Sequence, residues 1–324
     1  MSSAAAVARA KHLFRACKAG HTGSLDPLAT GMLPICFGEA TKFGAQLLDA
    51  DKTYRVSLHL GERTPSADRE SPVVEWREVP PWSQEQIIEA LARFPRLYSQ
   101  VPPMYSALKQ EGRPLYAYAR EGVTRERAAR TITIHEMTLV EWRPPILEFD
   151  VRCTKGAYIR VLAEDLAAQL GTIGHLSALR RLSVAPFGAE PVWQFEVLEG
   201  LAAPRLRELL LPVDAALQIW RRFDLSADSA RAIRQGKSIA IGEGGDPPPG
   251  AVAQGEPLRG LAARGEPSPG VTPGPTTPGG TTPGVTTPGP VRMYGEGLGF
   301  LGLGEIEAAG RLVPRRLISN ANEA

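Results

Sequence analysis

The stretch TYRVSLHL, residues 53–60, alternates without a break. In an extended chain Tyr54, Val56, Leu58 and Leu60 share one face, and Thr53, Arg55, Ser57 and His59 share the other. That is the pattern of a strand buried on one side. LEFDVRCT, residues 147–154, repeats it with Leu147, Phe149, Val151 and Cys153. Helical patterns lie between and around these strands. Residues 3–17 read as a helix capped by Ser2 or Ser3, with Arg9, Lys11, His12, Arg15 and Lys18 making much of its surface basic. Ser83 and Gln86 form a capping box ahead of Ile87, Ile88, Leu91 and Phe94. RPLYAYAREG runs from Pro114 to a stop at Gly122, and VLAEDLAAQLG ends at Gly171. Strands and helices are interspersed without regular βαβ spacing and without G-x-G-x-x-G. The expected fold class is therefore α+β with a mixed, largely antiparallel sheet, not a Rossmann fold.

With 324 residues the chain is long enough for two domains. A boundary is expected near 211, giving domains at 1–210 and 211–324. Much of the high Gly and Pro content falls in one segment, 244–290, which includes VTPGPTTPGGTTPGVTTPGP. It has almost no apolar residues to bury and reads as a disordered, polyproline-like insertion in a small C-terminal β domain. Net charge is only +2, so bulk charge does not argue for a nucleic-acid partner; the placement of charges must. Cys17, Cys36 and Cys153 are far apart and odd in number. The five histidines have no metal-ligand spacing along the chain. Neither a disulfide framework nor a metal site is expected, and a cytoplasmic location is the default. No apolar run is long enough to span a bilayer, and the basic residues near the N-terminus interrupt any signal-peptide core.

GHTGSLDPLATG, residues 20–31, raises the question of chemistry. A loop aspartate is most often a turn residue. Here Pro27 stiffens Asp26, Leu25 and Leu28 flank it with apolar bulk, and Gly20, Gly23 and Gly31 allow close approach of a ligand. These features mark a site without naming its reaction.

KAGHTGSLDPLATGMLPICFGEATKF closely resembles the signature of the TruB family of tRNA pseudouridine synthases. The likeness continues through DKTYRVSLHLGERT, QVPPMYSALKQEGRPLYAYAREG, KGAYIRVLAEDLAAQLG, HLSALRRLSV and GLGEIEAAGRLVPRRL. It implies a pseudouridine-synthase fold with a PUA-like C-terminal domain. The implied activity is isomerisation of uridine to pseudouridine at position 55 in the tRNA T-loop, without a cofactor. Asp26 matches the family's essential aspartate, as nucleophile or as acid/base group, and Arg160 the arginine paired with it. Tyr54 matches the aromatic that stacks on the target base, and His21 the histidine that fills the space the flipped base leaves. Tyr158 and Leu179 match pocket residues beside the uracil, Tyr158 being a candidate to take the C5 proton. Lys18, Lys155, Arg180 and Arg181 are candidate phosphate contacts. The implied partner is tRNA, held by its T-arm and, through the C-terminal domain, by its acceptor end; no membrane and no obligate protein partner are expected, and the default state is a monomer.

Two features depart from the family pattern. One is the 244–290 insertion, read as a neutral loop. The other is the start: the family opens with a strand bearing a K-P-x-G-x-T-S type motif, whereas this chain begins at MSSAAAV, so the N-terminus reads as truncated, through a start placed too late or a real loss of the strand. The alternative reading is a tRNA-binding or folding module whose catalysis is weak or lost for want of that strand. A hydrolase with an aspartyl nucleophile is disfavoured by the lack of a second carboxylate.

Overall fold

The strand expected at 53–60 is the middle of a sheet. The structure, a computed structural model, describes residues 1–241 and 287–319. It divides into two compact units, the first spanning Met1–Ile219 and the second beginning at Trp220. The division falls later than the expected boundary at 211. The short 3-10 turn Ala215–Leu217 explains this: Leu217 is fully buried, and Ala216 packs on Met32, Leu47 and Val184 of the first unit.

The first unit opens with α1 (Ser3–Leu13), β1 (Ala19–His21), β2 (Thr30–Gly31), β3 (Ile35–Phe37), α2 (Gly44–Asp49) and β4 (Lys52–Leu60). Next come β5 (Glu62–Arg63), β6 (Glu75–Trp76), α3 (Gln84–Arg93), β7 (Leu97–Gln100), β8 (Lys109–Gln110), β9 (Arg113–Pro114) and α4 (Leu115–Arg120). It closes with β10 (Arg130–Arg143), β11 (Ile146–Cys153), α5 (Ile159–Gln169), β12 (Gly174–Val184), α6 (Phe195–Glu199) and α7 (Ala203–Glu208). Six strands form one sheet in the order β2-β12-β4-β11-β10-β7. Only the β12–β2 pairing is parallel, so the sheet is mixed and largely antiparallel.

The alternation in β4 and β11 is what buries one face. Tyr54, Val56, Leu58, Leu60, Leu147, Phe149, Val151 and Cys153 enter one core cluster. Helices α3 and α5 cover it with Ile87, Leu91, Ile159, Leu162 and Leu166. The capping box of α3 is complete, with Ser83 and Gln86 side chains exchanging bonds with each other's backbone amides. Helix α1 is capped by Ser2 but stops at Leu13, short of the expected 17. Arg15 turns the chain with φ 50, and Phe14 stacks on Phe37 at 5.0 Å, which fixes the turn into β1.

The second unit holds β13 (Arg221–Leu225), α8 (Ala227–Arg234), β14 (Ile239–Ala240), β15 (Gly289–Gly295), β16 (Gly299–Ile306) and β17 (Arg311–Leu317). Its sheet runs β13-β15-β16-β17-β14 around Val291, Met293, Leu301, Ile306 and Leu312. The insertion expected at 244–290 lies outside the described residues up to 286. Its expected end is corrected, because Gly289 and Pro290 already pair in β15. No helix among the described residues is long and apolar enough to cross a membrane.

Candidate active site

Asp26 sits in the loop between β1 and β2, flanked by Leu25 and Leu28, which pack on the main core. Its side chain is 39% exposed. Oδ2 accepts a hydrogen bond from Nε of Arg160 at 2.8 Å, across 134 positions of sequence. Oδ1 accepts none from the described side chains. Arg160 lies in the first turn of α5 and is only 4% exposed. Its two terminal nitrogens donate to the backbone carbonyls of Ser66, at 3.0 Å, and Tyr105, at 2.7 Å. A buried arginine tied at three points holds its carboxylate partner in one direction.

Asp68 stands 3.8 Å from the same Nε. The sequence reading found no second carboxylate; the fold supplies one. It is buried and its Oδ1 already accepts from the Ser66 hydroxyl at 2.6 Å and the Glu70 amide at 3.1 Å. It therefore positions the turn that carries the Ser66 carbonyl. The turn is tied to the sheet, since Leu176 exchanges backbone bonds with Ala67 and Arg69.

The loop bearing Asp26 is held from both ends. Arg181 is 1% exposed, and its guanidinium donates to the carbonyls of Met32 at 2.7 Å and Gly23 at 3.1 Å. The expectation that Arg181 contacts phosphate is corrected on this ground: its guanidinium is enclosed and turned inward onto two backbone carbonyls. Gly31 has φ +92, and a Cβ there would lie 2.2 Å from the Arg181 carbonyl oxygen, so only glycine permits this pairing of β2 with β12. Ser3 of α1 adds a third tie. Its hydroxyl donates to the Leu25 carbonyl and accepts from the Leu25 amide.

Tyr54 is 7% exposed and pairs across the sheet with Val151 and Arg181. Burial pushes its phenol up to about 12, only partly offset by Arg181. Leu179 lies beside it in the same core. Tyr158 precedes α5, and burial raises its phenol as well. Gln100 fixes it: the Gln100 amide donates to the Tyr158 carbonyl at 2.9 Å and accepts from the Tyr158 N–H at 2.7 Å. His21 is half-buried in β1, with burial and then the Arg181 charge lowering its pKa, and its Nδ1 is buried without a hydrogen-bond partner.

Of the remaining expected contacts, Lys18 and Arg180 are exposed, and Arg180 reaches the Thr30 hydroxyl at 3.5 Å. Lys155 is exposed and paired with Asp49 at 2.7 Å. At the end of α1 and in the turn after it, Lys11, His12 and Arg15 line a shallow cleft of about 520 Å³. Arg9 is not part of that surface; Glu199 of α6 binds it with two bonds of 2.7 Å, and it lies over Phe195.

Sequence reasoning missed Asp68, Gln100 and the carbonyls of Ser66 and Tyr105. Gln100 and Tyr105 do lie in the quoted segment that begins QVPPMYSALK, but nothing local marks them as supports. It also missed Glu164, one turn beyond Arg160. Burial and the neighbouring Asp165 push its carboxyl up to about 7, against the pull of Arg63 and Arg160. The folded state thus holds this proton more tightly than the unfolded chain does. Its stabilising contribution is complete below the ordinary value of 4.5 and is lost as pH rises through about 7. Glu164→Gln should therefore gain stability over wild type between pH 5 and pH 8, by about 1 kcal/mol once solvent screening at a half-buried position is allowed for. Urea midpoints of both proteins at the two pH values measure it, and a constant difference would rule it out.

Comparison with known proteins places this geometry. Residues 11–159 match the model for the TruB family pseudouridylate synthase N-terminal domain. Residues 160–218 match the tRNA pseudouridylate synthase B C-terminal domain, and 282–318 match the pseudouridine synthase II TruB C-terminal family. A tRNA pseudouridine synthase B of Sodalis glossinidius is 41% identical over 326 residues, 98% of this chain and 92% of the relative. That of Chromohalobacter salexigens is 48% identical over 245 residues, 76% of this chain and 80% of the relative. Among solved structures, a Cbf5-Nop10-Gar1 complex contains a chain that superposes with a TM-score of 0.64 at 20% identity, covering 99% of this chain and 82% of that one.

Proposed function

Because the chain belongs to the TruB family and is a pseudouridine synthase acting on tRNA, we propose that its target is uridine 55 of the T-loop and that Asp26 carries the reaction. The observation that supports this reading most is the Asp26–Arg160 contact of 2.8 Å, with the guanidinium buried and one carboxylate oxygen left open to a ligand. The fold is α+β with a small PUA-like C-terminal domain.

The reaction is an isomerisation, so the composition of the nucleoside is unchanged although its C5 hydrogen is lost to solvent. The N1–C1′ bond breaks, the uracil turns, a C5–C1′ bond forms, and the proton on C5 is replaced by one on N1. A fixed carboxylate suits both the attack and the proton transfers. Tyr158 is the relay for the C5 proton, directly or through water. Its raised phenol is not a resident base at neutral pH, so it passes one proton on as it accepts the other. Before this chemistry the base must leave the T-loop, at a cost of a few kcal/mol that an aromatic face partly offsets. Tyr54 supplies the face; it is 7% exposed, so the uracil reaches it only once the side chains packed around it give way. His21 fills the vacated space. No hydrogen bond holds its Nδ1 in place.

Lys18, Arg180 and the Lys11–Arg15 surface at the end of α1 and its following turn face phosphates of the T-arm, and Lys155 joins them by exchanging Asp49 for phosphate. The C-terminal domain takes the acceptor end. The enzyme works in the cytoplasm as a monomer and needs no cofactor.

The test uses a tRNA transcript tritiated at C5 of uridine. Tritium release is expected from the wild-type chain and should vanish when position 55 is cytidine. Release that survives that change would move the target elsewhere. Tight tRNA binding with no release would favour the binding-module reading instead.

A further inference from the structure

Far along β4 from Tyr54, the fold gathers three groups that the reaction does not use. His59 is the next-to-last residue of the strand, Glu62 lies on β5 just beyond it, and His175 is directly opposite His59 on β12. One ligand atom from each can be chosen so that all three lie within 4.8 Å of one another. The two imidazoles meet edge to face with centroids 5.4 Å apart, and Glu62 Oε2 is 3.8 Å from His59 Nδ1. None of these separations is a hydrogen bond.

A second observation makes this more than a chance cluster. His175 is 4% exposed, yet its Nδ1 has no hydrogen-bond partner, and the same is true of the buried Nδ1 of His59. Buried polar atoms are rarely left unpaired, because each orphan costs about 1–3 kcal/mol. Two orphaned imidazole nitrogens beside a carboxylate ask for a shared partner. A cleft of about 360 Å³ lined by His59, Glu62, Arg77, Glu78 and Pro145 reaches the cluster from its His59 and Glu62 side. Arg77 is turned to Glu75 at 3.1 Å, a carboxylate it shares with Arg63.

We propose that His59, Glu62 and His175 form a binding site for a divalent transition-metal cation, with Zn²⁺ the best match. Two imidazoles and one carboxylate are the donors such ions prefer over Mg²⁺ or Ca²⁺, which favour all-oxygen sets. Small side-chain rotations bring the donors to coordination distance, with the cleft supplying an open position for water. The cation would tie three strands together where the chain enters the Thr64–Asp68 turn. That turn carries the Ser66 carbonyl to Arg160, so the site braces the scaffold of the reaction without touching substrate. The histidines carry no metal-ligand spacing in sequence because the pairing of β4 with β12 creates the site.

Cobalt(II) is the probe. The full chain, stripped with a chelator, is titrated with Co²⁺ and followed by visible d–d absorption, with Zn²⁺ as competitor. One equivalent should bind with the intense bands of low coordination, and Zn²⁺ should bleach them. His59→Asn and Glu62→Gln, neither of which lies in the main core, should each weaken binding by at least roughly tenfold while circular dichroism stays unchanged. Absence of bands in the wild-type chain, or bands that persist in either variant, would overturn the site. His175→Asn is a less decisive variant, since its burial couples it to folding.

Discussion

Asp26→Ala is expected to abolish tritium release, by at least roughly 10⁴-fold, while the protein still folds and binds tRNA. The geometry separates the two effects. The carboxylate is partly exposed and accepts one hydrogen bond from the described scaffold, that of Arg160. The loop that bears it is held by other groups: the Arg181 guanidinium, the Ser3 hydroxyl, and a backbone bond from the Ala29 amide to the Asp26 carbonyl. Without its carboxylate partner, Arg160 still keeps the Ser66 and Tyr105 carbonyls and the nearby Asp68. Stability should therefore fall by less than about 1 kcal/mol, the range of a single partly exposed ion pair. Asp26→Asn, which preserves shape, should be equally inactive. Single-turnover tritium release with parallel filter binding gives the answer. Turnover in either variant within roughly tenfold of wild type would remove Asp26 from the centre of the reaction.

The opposite balance is expected at Arg160. Arg160→Ala should cost about 3–5 kcal/mol of stability and also lower turnover by orders of magnitude. Deleting this buried guanidinium leaves the Ser66 and Tyr105 carbonyls without their donor and Asp68 without its nearest cation. Asp26 loses the group that aims it. Arg160→Lys keeps a charge but cannot reach acceptors in three directions, so it should recover part of the stability and little of the rate. Urea denaturation and tritium release on the same preparations separate the two losses. A stability change below about 1 kcal/mol for Arg160→Ala would show that the buried bonds are not holding the site together.

How much of this was legible depends on whether a group's partner is near in sequence. The β4 and β11 strands and the α3 capping box are local patterns, and the structure has them at the expected residues. The end of α1 was not legible, because the Phe14–Phe37 contact and the left-handed Arg15 that stop it depend on β3. Arg181 was misread for a related reason. A charged residue on a strand next to another arginine looks like surface, and only the carbonyls of Gly23 and Met32, about 150 positions earlier, make its burial tolerable. Asp26 itself was marked as a site by its stiff loop. Arg160 was named through family likeness, since a lone arginine at a helix start has no local signature. Asp68, Gln100 and the His59–His175 pair had no local signal at all, being assembled by strand pairing and long-range turns.

The Arg181 clamp has a consequence for how this loop could be re-engineered. One guanidinium binds the carbonyls at Gly23 and Met32, so the two ends of the intervening segment are fastened to a single rigid point. Both attachments are to backbone atoms and are indifferent to the side chains between them. The segment is thus a cassette with fixed terminals, whose closure entropy is offset by the clamp rather than by its own sequence. An exposed residue such as Ser24 could be exchanged without redesigning the anchorage, provided that Gly23, Gly31 and Arg181 are left in place.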